Sequence, residues 1–125
     1  MKSSKEKVKF SVLVDHIVEG MEEVKGHNIT ILDLSAIENS VCDFFVICDG
    51  TSNTQVNAIS DSIEKVVREK LGDKPWHVEG RDNSEWVLLD YVNVVAHVFQ
   101  KDIREFYDLD SLWSDAEVTV LESKY

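Results

Sequence analysis

The sequence lacks the features that would direct it into or across a membrane. None of its apolar runs is long enough to span a bilayer, and the basic residues 1–10 are not followed by the apolar core of a secretory signal. Cysteine is scarce too: Cys42 and Cys48 are the only two, and on one extended strand they lie too far apart to form a disulfide. We therefore expect a cytoplasmic protein with reduced thiols and no membrane association.

Basic residues are also few. The chain has 13 Lys and Arg against 24 Asp and Glu, for a formal net charge of −11, and the acids are densest after residue 75. This charge repels phosphate backbones, so direct nucleic-acid binding is not expected, whereas a basic protein surface is a favourable partner. The alternative is that the acidity only keeps the chain soluble.

No linker, repeat or low-complexity segment divides the chain. Its length predicts a single domain over residues 1–125. Within it we expect a core over about residues 8–116 and a flexible tail over residues 117–125, because the patterned segments end before the tail.

The patterned segments follow the order helix, two strands, helix, three strands, helix. "NITILDL" alternates like a half-buried strand, and the continuously apolar "DFFVIC" favours a central one. The helix after it begins at Ser52, Asn53 or Thr54 and ends at Gly72. The predicted fold class is α/β (α+β), with a mixed sheet of about five strands and flanking helices.

The residues that a nucleotide-processing enzyme needs are missing. Metal-dependent nucleotidyl transfer uses an Asp-x-Asp on a strand, but the only such pair, Asp108 and Asp110, lies in a helical stretch. The "DGTS" turn, Asp49–Ser52, has the position of a phosphate site, but it lacks the P-loop lysine and a second fingerprint glycine. We interpret these residues as an ordinary turn followed by a helix cap. We expect that the protein is not an enzyme and that it binds no cofactor or metal.

The hairpin "EWVLLDY" to "VVAHVFQ" carries Asp90 and His97. A two-residue loop at Val92-Asn93 makes them diagonal neighbours on one face, where an unpaired polar group would be costly. Because no nucleophile or metal ligand accompanies the pair, we expect a structural hydrogen bond between them. The alternative is that they contact a partner protein. That face contains Trp86, Leu88, Asp90, Val95, His97 and Phe99.

The three tryptophans, Trp76, Trp86 and Trp113, all follow residue 75. Tryptophan is enriched at interface hot spots. Each of them is individually more typical of a core, but one on a sheet face that no helix covers would be available to a partner.

Four motifs together carry a resemblance to a known family: "CDFFVICDGTSNTQVNAISDSI", "HVEGRDNSEWVLLDY", "VVAHVFQ" and "REFYDLDSLWSDA". From about Asn28 to Ala116 the chain resembles the ribosomal silencing factor family, also called Iojap-like. The resemblance implies a non-catalytic translation repressor with a nucleotidyltransferase-like fold. Such a protein binds a large-subunit ribosomal protein of the L-fourteen type and blocks subunit joining, and family members can also form homodimers.

The resemblance also implies a partner-binding surface on the hairpin. The matching positions are Trp86, Tyr91 and Phe99, together with Asp90. His97 matches the histidine that accompanies this aspartate in the family.

The chain departs from the family pattern at the hairpin turn, where Val92-Asn93 replaces a usual Gly-Asp. A two-residue turn favours positive φ, which a β-branched valine resists, so the turn type and the register depend on how Val92 is accommodated. Two other functions stay open: a nucleotidyltransferase-like nucleotide-binding domain, and an adaptor for another basic protein.

Overall fold

A computed structural model describes residues 11–122, and within that range no helix has both the length and the apolar character that crossing a bilayer requires. The helices are α1 (Val12–Glu23), α2 (Asn53–Leu71), α3 (Lys101–Tyr107) and α4 (Leu109–Leu112). The strands are β1 (His27–Asp33), β2 (Phe44–Gly50), β3 (His77–Glu79), β4 (Trp86–Asp90), β5 (Val94–Gln100) and β6 (Glu117–Val120). They form one six-stranded sheet in the order β3-β4-β5-β2-β1-β6.

Strand β2 is the centre of the sheet. It pairs in parallel with β5 and antiparallel with β1, and all seven of its residues are buried. A strand covered on both faces has no polar side to show, which is why "DFFVIC" reads as an apolar run. The prediction of a central strand and of a mixed sheet is confirmed.

Helices α1 and α2 cover one face of the sheet. Side-chain oxygens of Ser11 and Ser52 cap their first turns, and α2 ends at Gly72 in the left-handed conformation, φ +66°. The helices cross closely at Gly20, where a Cβ atom would lie 2.7 Å from the Ile63 Cα atom. The core between helices and sheet includes Val14, Ile17, Met21, Val56, Ile59, Ile63 and Val67.

The tail prediction is wrong for Glu117–Val120, which form the sixth strand. Strand β6 pairs antiparallel with β1, from Asp33 opposite Glu117 to Thr30 opposite Val120. The physical reason is the open edge of β1, whose backbone groups need partners. Residues 123–125 lie outside the described part of the chain.

The short helices α3 and α4 cover only part of the second face of the sheet. They contribute Ile103 and Leu109, and the C-cap position of α4 contributes Trp113, to a second apolar cluster that also includes residues of β2 and β5. Near the hairpin turn, this face forms an open groove whose lining includes no residue of either helix among the described residues.

Candidate functional site

The β4–β5 hairpin has the register that a two-residue loop predicts. Trp86 lies opposite Phe99, and Leu88 opposite His97. Val92 has φ +79°, and the Asn93 N–H donates to the Tyr91 carbonyl at 3.0 Å. This is a γ-turn centred on Val92, a strained conformation. The chain accommodates Val92 at positive φ, and the predicted register is confirmed.

We predict that Val92→Gly raises the free energy of unfolding by about 1 kcal/mol, because relief of the positive-φ strain exceeds the entropic cost of glycine. Chemical denaturation measures the change. The matched control is Val41→Gly, an exposed valine without positive φ, which should be neutral or destabilising. Equal destabilisation at both positions would show that Val92 is unstrained.

Asp90 and His97 share a face, but they do not form the predicted hydrogen bond. The Asp90 carboxylate accepts from the backbone N–H of Val92 at 2.7 Å. His97 Nδ1 instead accepts from the Trp86 indole N–H at 3.1 Å. The backbone of the turn supplies the donor to Asp90, and the indole of Trp86 supplies the donor to His97. The expected structural pair is therefore replaced by two separate contacts.

His97 is electrically neutral in this environment. It is 3% exposed, and burial lowers its pKa to about 3. A neutral imidazole matches its role as acceptor for the indole, which an imidazolium could not fill.

Trp86 is the centre of an aromatic cluster on the same face. Its ring stacks on Phe99 at 4.7 Å between centroids and contacts Tyr107 of α3 at 5.0 Å. Farther along the face, Phe45 meets His97 at 4.5 Å and Trp113 at 5.9 Å, both edge to face. These contacts hold Trp86 in one orientation while leaving it partly exposed.

Beside Trp86 the uncovered part of the face forms an open groove of about 650 Å³. The groove is predominantly apolar, with Asp90 as its acidic residue. Three lining residues are mostly exposed: Trp76 at 81%, Val41 at 70% and Val92 at 58%. The full lining is Val41, Phe45, Trp76, Leu88, Asp90, Val92, Val95 and His97. An apolar groove of this kind suits the side chains of a partner protein.

The structure separates the predicted partner-binding residues. Trp86 and Asp90 are partly exposed on the open face. Phe99 shares that face but is fully buried, and Tyr91 packs in the core on the helix-covered face. Strand alternation places Tyr91 opposite to Asp90, so this outcome was available from the sequence. Their burial contradicts the predicted direct contact by Tyr91 and Phe99, whereas the predicted contacts of Trp86 and Asp90 stay predictions.

Sequence reasoning missed most of the groove. Val41 precedes β2 in a loop and carried no signal, and Leu88 was noted only as a member of the face. The sequence pattern does not place Trp76 on either face of the sheet. Its backbone N–H donates to the Asp90 carbonyl at 2.7 Å, which brings its side chain to the groove.

A buried ion pair fixes α3 across the end of the sheet. Arg104 donates to the Asp49 carboxylate at 3.0 Å, and their side chains are 11% and 5% exposed. The same guanidinium reaches the Asn28 carbonyl at 2.7 Å, Thr30 Oγ1 at 3.0 Å and Asp110 at 3.1 Å. Because Tyr107 follows on the same helix, this network also sets the ring that contacts Trp86.

The "DGTS" turn uses its own donors. The Thr51 N–H donates to Gln55 Oε1 at 2.8 Å, and the Gln55 N–H donates to Ser52 Oγ at 3.1 Å. With the Asp49 carboxylate at its start, the turn offers little to a phosphate. Among residues 11–122 no group of three His, Cys, Asp or Glu side chains is placed to hold a metal ion.

Comparisons with known proteins agree with the motifs. The family model described as "Ribosomal silencing factor during starvation" matches residues 7–124. A ribosomal silencing factor from Halalkalibacterium halodurans is 38% identical over 110 residues, which are 88% of this chain and 92% of that protein. A crystal structure of a Chromobacterium violaceum protein has a TM-score of 0.76 and 29% identity, covering 90% of this chain and 92% of that one. The mouse protein "Mitochondrial assembly of ribosomal large subunit protein 1" is 27% identical over 103 residues, covering 81% of this chain and 45% of its own length.

Proposed function

This chain belongs to the ribosomal silencing factor family, and from that membership we propose that it represses translation by binding the large ribosomal subunit. The partner is a basic ribosomal protein of the L-fourteen type. The bound domain covers a surface of the large subunit that the small subunit must contact. The mechanism is steric and requires no chemical step. The protein acts in the cytoplasm, where the subunits meet.

The groove beside Trp86 is the observation that carries this proposal. Among the described residues no helix contributes to its lining. The exposed Trp76 lines it, and the partly exposed Trp86 is hydrogen-bonded to His97 in its wall. Exposed tryptophan next to apolar surface is typical of interface hot spots, because it buries a large area at low entropic cost. Trp86 is held in place by Phe99 and Tyr107, so little order is lost on binding.

Charge favours a basic partner. The net charge is −11, and Asp90 supplies a carboxylate in the groove itself. Long-range attraction would speed encounter with a basic ribosomal protein, and the apolar contacts would supply affinity. The name of the mouse relative, which refers to the large subunit, supports the same choice of subunit.

The same apolar face is available to a second copy of the chain. We propose that a homodimer would bury this surface and so compete with binding to the large subunit. Raising the protein concentration would then lower the fraction of molecules able to bind.

Sedimentation of purified large and small subunits, with and without this protein, tests the proposed function. We expect the joined ribosome peak to fall as protein is added, and the protein to travel with the free large subunit. Unchanged joining, or sedimentation with the small subunit, would contradict the proposal.

We predict that Trp76→Ala weakens binding to large subunits by about tenfold, the effect of losing ~1.4 kcal/mol at an interface. The free energy of unfolding should barely change, because the side chain is 81% exposed. The matched control is Leu71→Ala, which truncates another exposed apolar residue, on α2. Equal affinities of the two variants would remove Trp76 from the interface.

A further inference from the structure

His97, a residue that lines the groove, has a buried hydrogen-bonding atom with no partner among the described residues. This atom is Nε2 of His97. The other such atom, the hydroxyl oxygen of Tyr91, belongs to the core on the helix-covered face. Buried polar atoms without partners are uncommon, so one in the wall of an open groove calls for a functional explanation.

The contact with Trp86 determines where the proton of His97 lies. An indole N–H can only donate, so the Nδ1 atom that it meets at 3.1 Å carries no proton. The neutral ring must then carry its proton on Nε2. His97 therefore presents an N–H donor to the side of the ring that lacks a partner.

The nearest competing acceptor is weak. The ring of Phe45 lies edge to face with His97 at 4.5 Å between centroids, and an N–H over an aromatic face is a poor substitute for a bond to oxygen. Val41 and Trp76 line the same groove and are mostly exposed. Because the Nε2 atom is itself buried, the proposal requires that exposed lining side chains such as these move aside when a partner oxygen enters.

We propose that the Nε2–H of His97 is a recognition group, which donates a hydrogen bond to an oxygen on the docked partner. The occupant of the groove is a short apolar side chain that carries a hydroxyl or amide oxygen, beside a basic residue that pairs with Asp90. This proposal rests on the docking function proposed above and specifies its chemistry. A purely apolar side chain would leave the buried donor unpaired, so the groove selects against it.

The first test compares His97→Gln with His97→Met, using the purified L-fourteen-type ribosomal protein as the probe. Glutamine offers both an acceptor for Trp86 and a donor towards the groove, whereas methionine of similar size offers no donor. We expect His97→Gln to bind within about threefold of the original chain and His97→Met to bind about tenfold more weakly. Equal affinities of the two variants would overturn the proposal.

The matched control is Ser60→Ala, which removes a buried hydroxyl of α2 on the helix-covered side of the sheet. It should leave affinity unchanged. A loss as large as that of His97→Met would mean that binding responds to core polarity in general, and the specific role of His97 would be rejected.

The second test is independent of mutation and observes the Nε2 proton directly. In the unmodified chain labelled with ¹⁵N-histidine, we expect the free protein to show the Nε2–H tautomer. On addition of the ribosomal protein, this proton should move downfield. Binding without a change in this signal overturns the role of His97 alone, whereas a failure to bind at all overturns the docking function on which it rests.

Discussion

Arg104→Met is expected to lower the free energy of unfolding by about 3–5 kcal/mol, the usual cost of leaving one member of a buried ion pair alone. Asp49 is 3% exposed, and its carboxylate would keep the long contacts from Asn28, at 3.3 and 3.4 Å. The Asn28 carbonyl and the Thr30 hydroxyl would each lose the donor they now have in Arg104. Urea denaturation measures the loss.

Arg81→Met is the matched control. Arg81 also bridges an aspartate, but its partner Asp61 has a side chain that is 62% exposed, so the expected loss is below ~1 kcal/mol. Arg104→Lys keeps the charge without the planar fork and should fall between the two methionine variants. Adding Asp49→Asn to Arg104→Met should restore part of the stability, because the unpaired charge is then gone. Equal losses for the Arg104 and Arg81 variants would contradict the buried-pair interpretation.

The parts of the fold that follow from short-range patterns were predictable. The run in β2 reflects burial on both faces, and the spacing of Val56, Ile59 and Ile63 reflects the single buried side of α2. The hairpin register followed from the length of its loop alone. In each case the residues that carry the pattern are the residues that form the predicted structure, or their near neighbours in sequence.

The parts that were not predictable depend on contacts between distant segments. Arg104 and Asp49 are 55 residues apart, and neither has a sequence neighbour that points to the other. Strand β6 forms because β1 has an open edge, and the four-residue sequence of β6 does not by itself predict this pairing. Asp90 and His97 share the predicted sheet face, but each bonds to a different partner. That choice depends on side-chain positions that the alternation pattern does not give.

The candidate site shows where a resemblance and a pattern can disagree. The resemblance predicts that Tyr91 binds the partner, whereas alternation continued from β4 predicts that it lies on the side of α1 and α2. The structure follows the alternation. Position within a strand is therefore the better guide to which hairpin residues can touch a partner.

Trp86→Ala is expected to weaken binding to the large subunit by about 30-fold or more, which corresponds to the ~2 kcal/mol of an interface hot spot. Trp86 has one side packed on Phe99 and its edge bonded to His97, and it remains partly exposed beside the groove. Truncation would remove this anchor and the contact between the indole and the Tyr107 ring. Titration of fluorescently labelled protein with purified large subunits measures the change.

A loss of affinity could also arise from damage to the fold, and Phe99→Leu separates the two causes. Phe99 lies beneath Trp86 and is fully buried, so its truncation should cost ~1–3 kcal/mol of stability while removing no surface that a partner can touch. If Trp86 acts by contact, Phe99→Leu should bind within a fewfold of the original chain, despite being less stable. If both variants lose affinity equally, packing and not contact controls binding. If Trp86→Ala binds normally while folded, the partner docks on a different face.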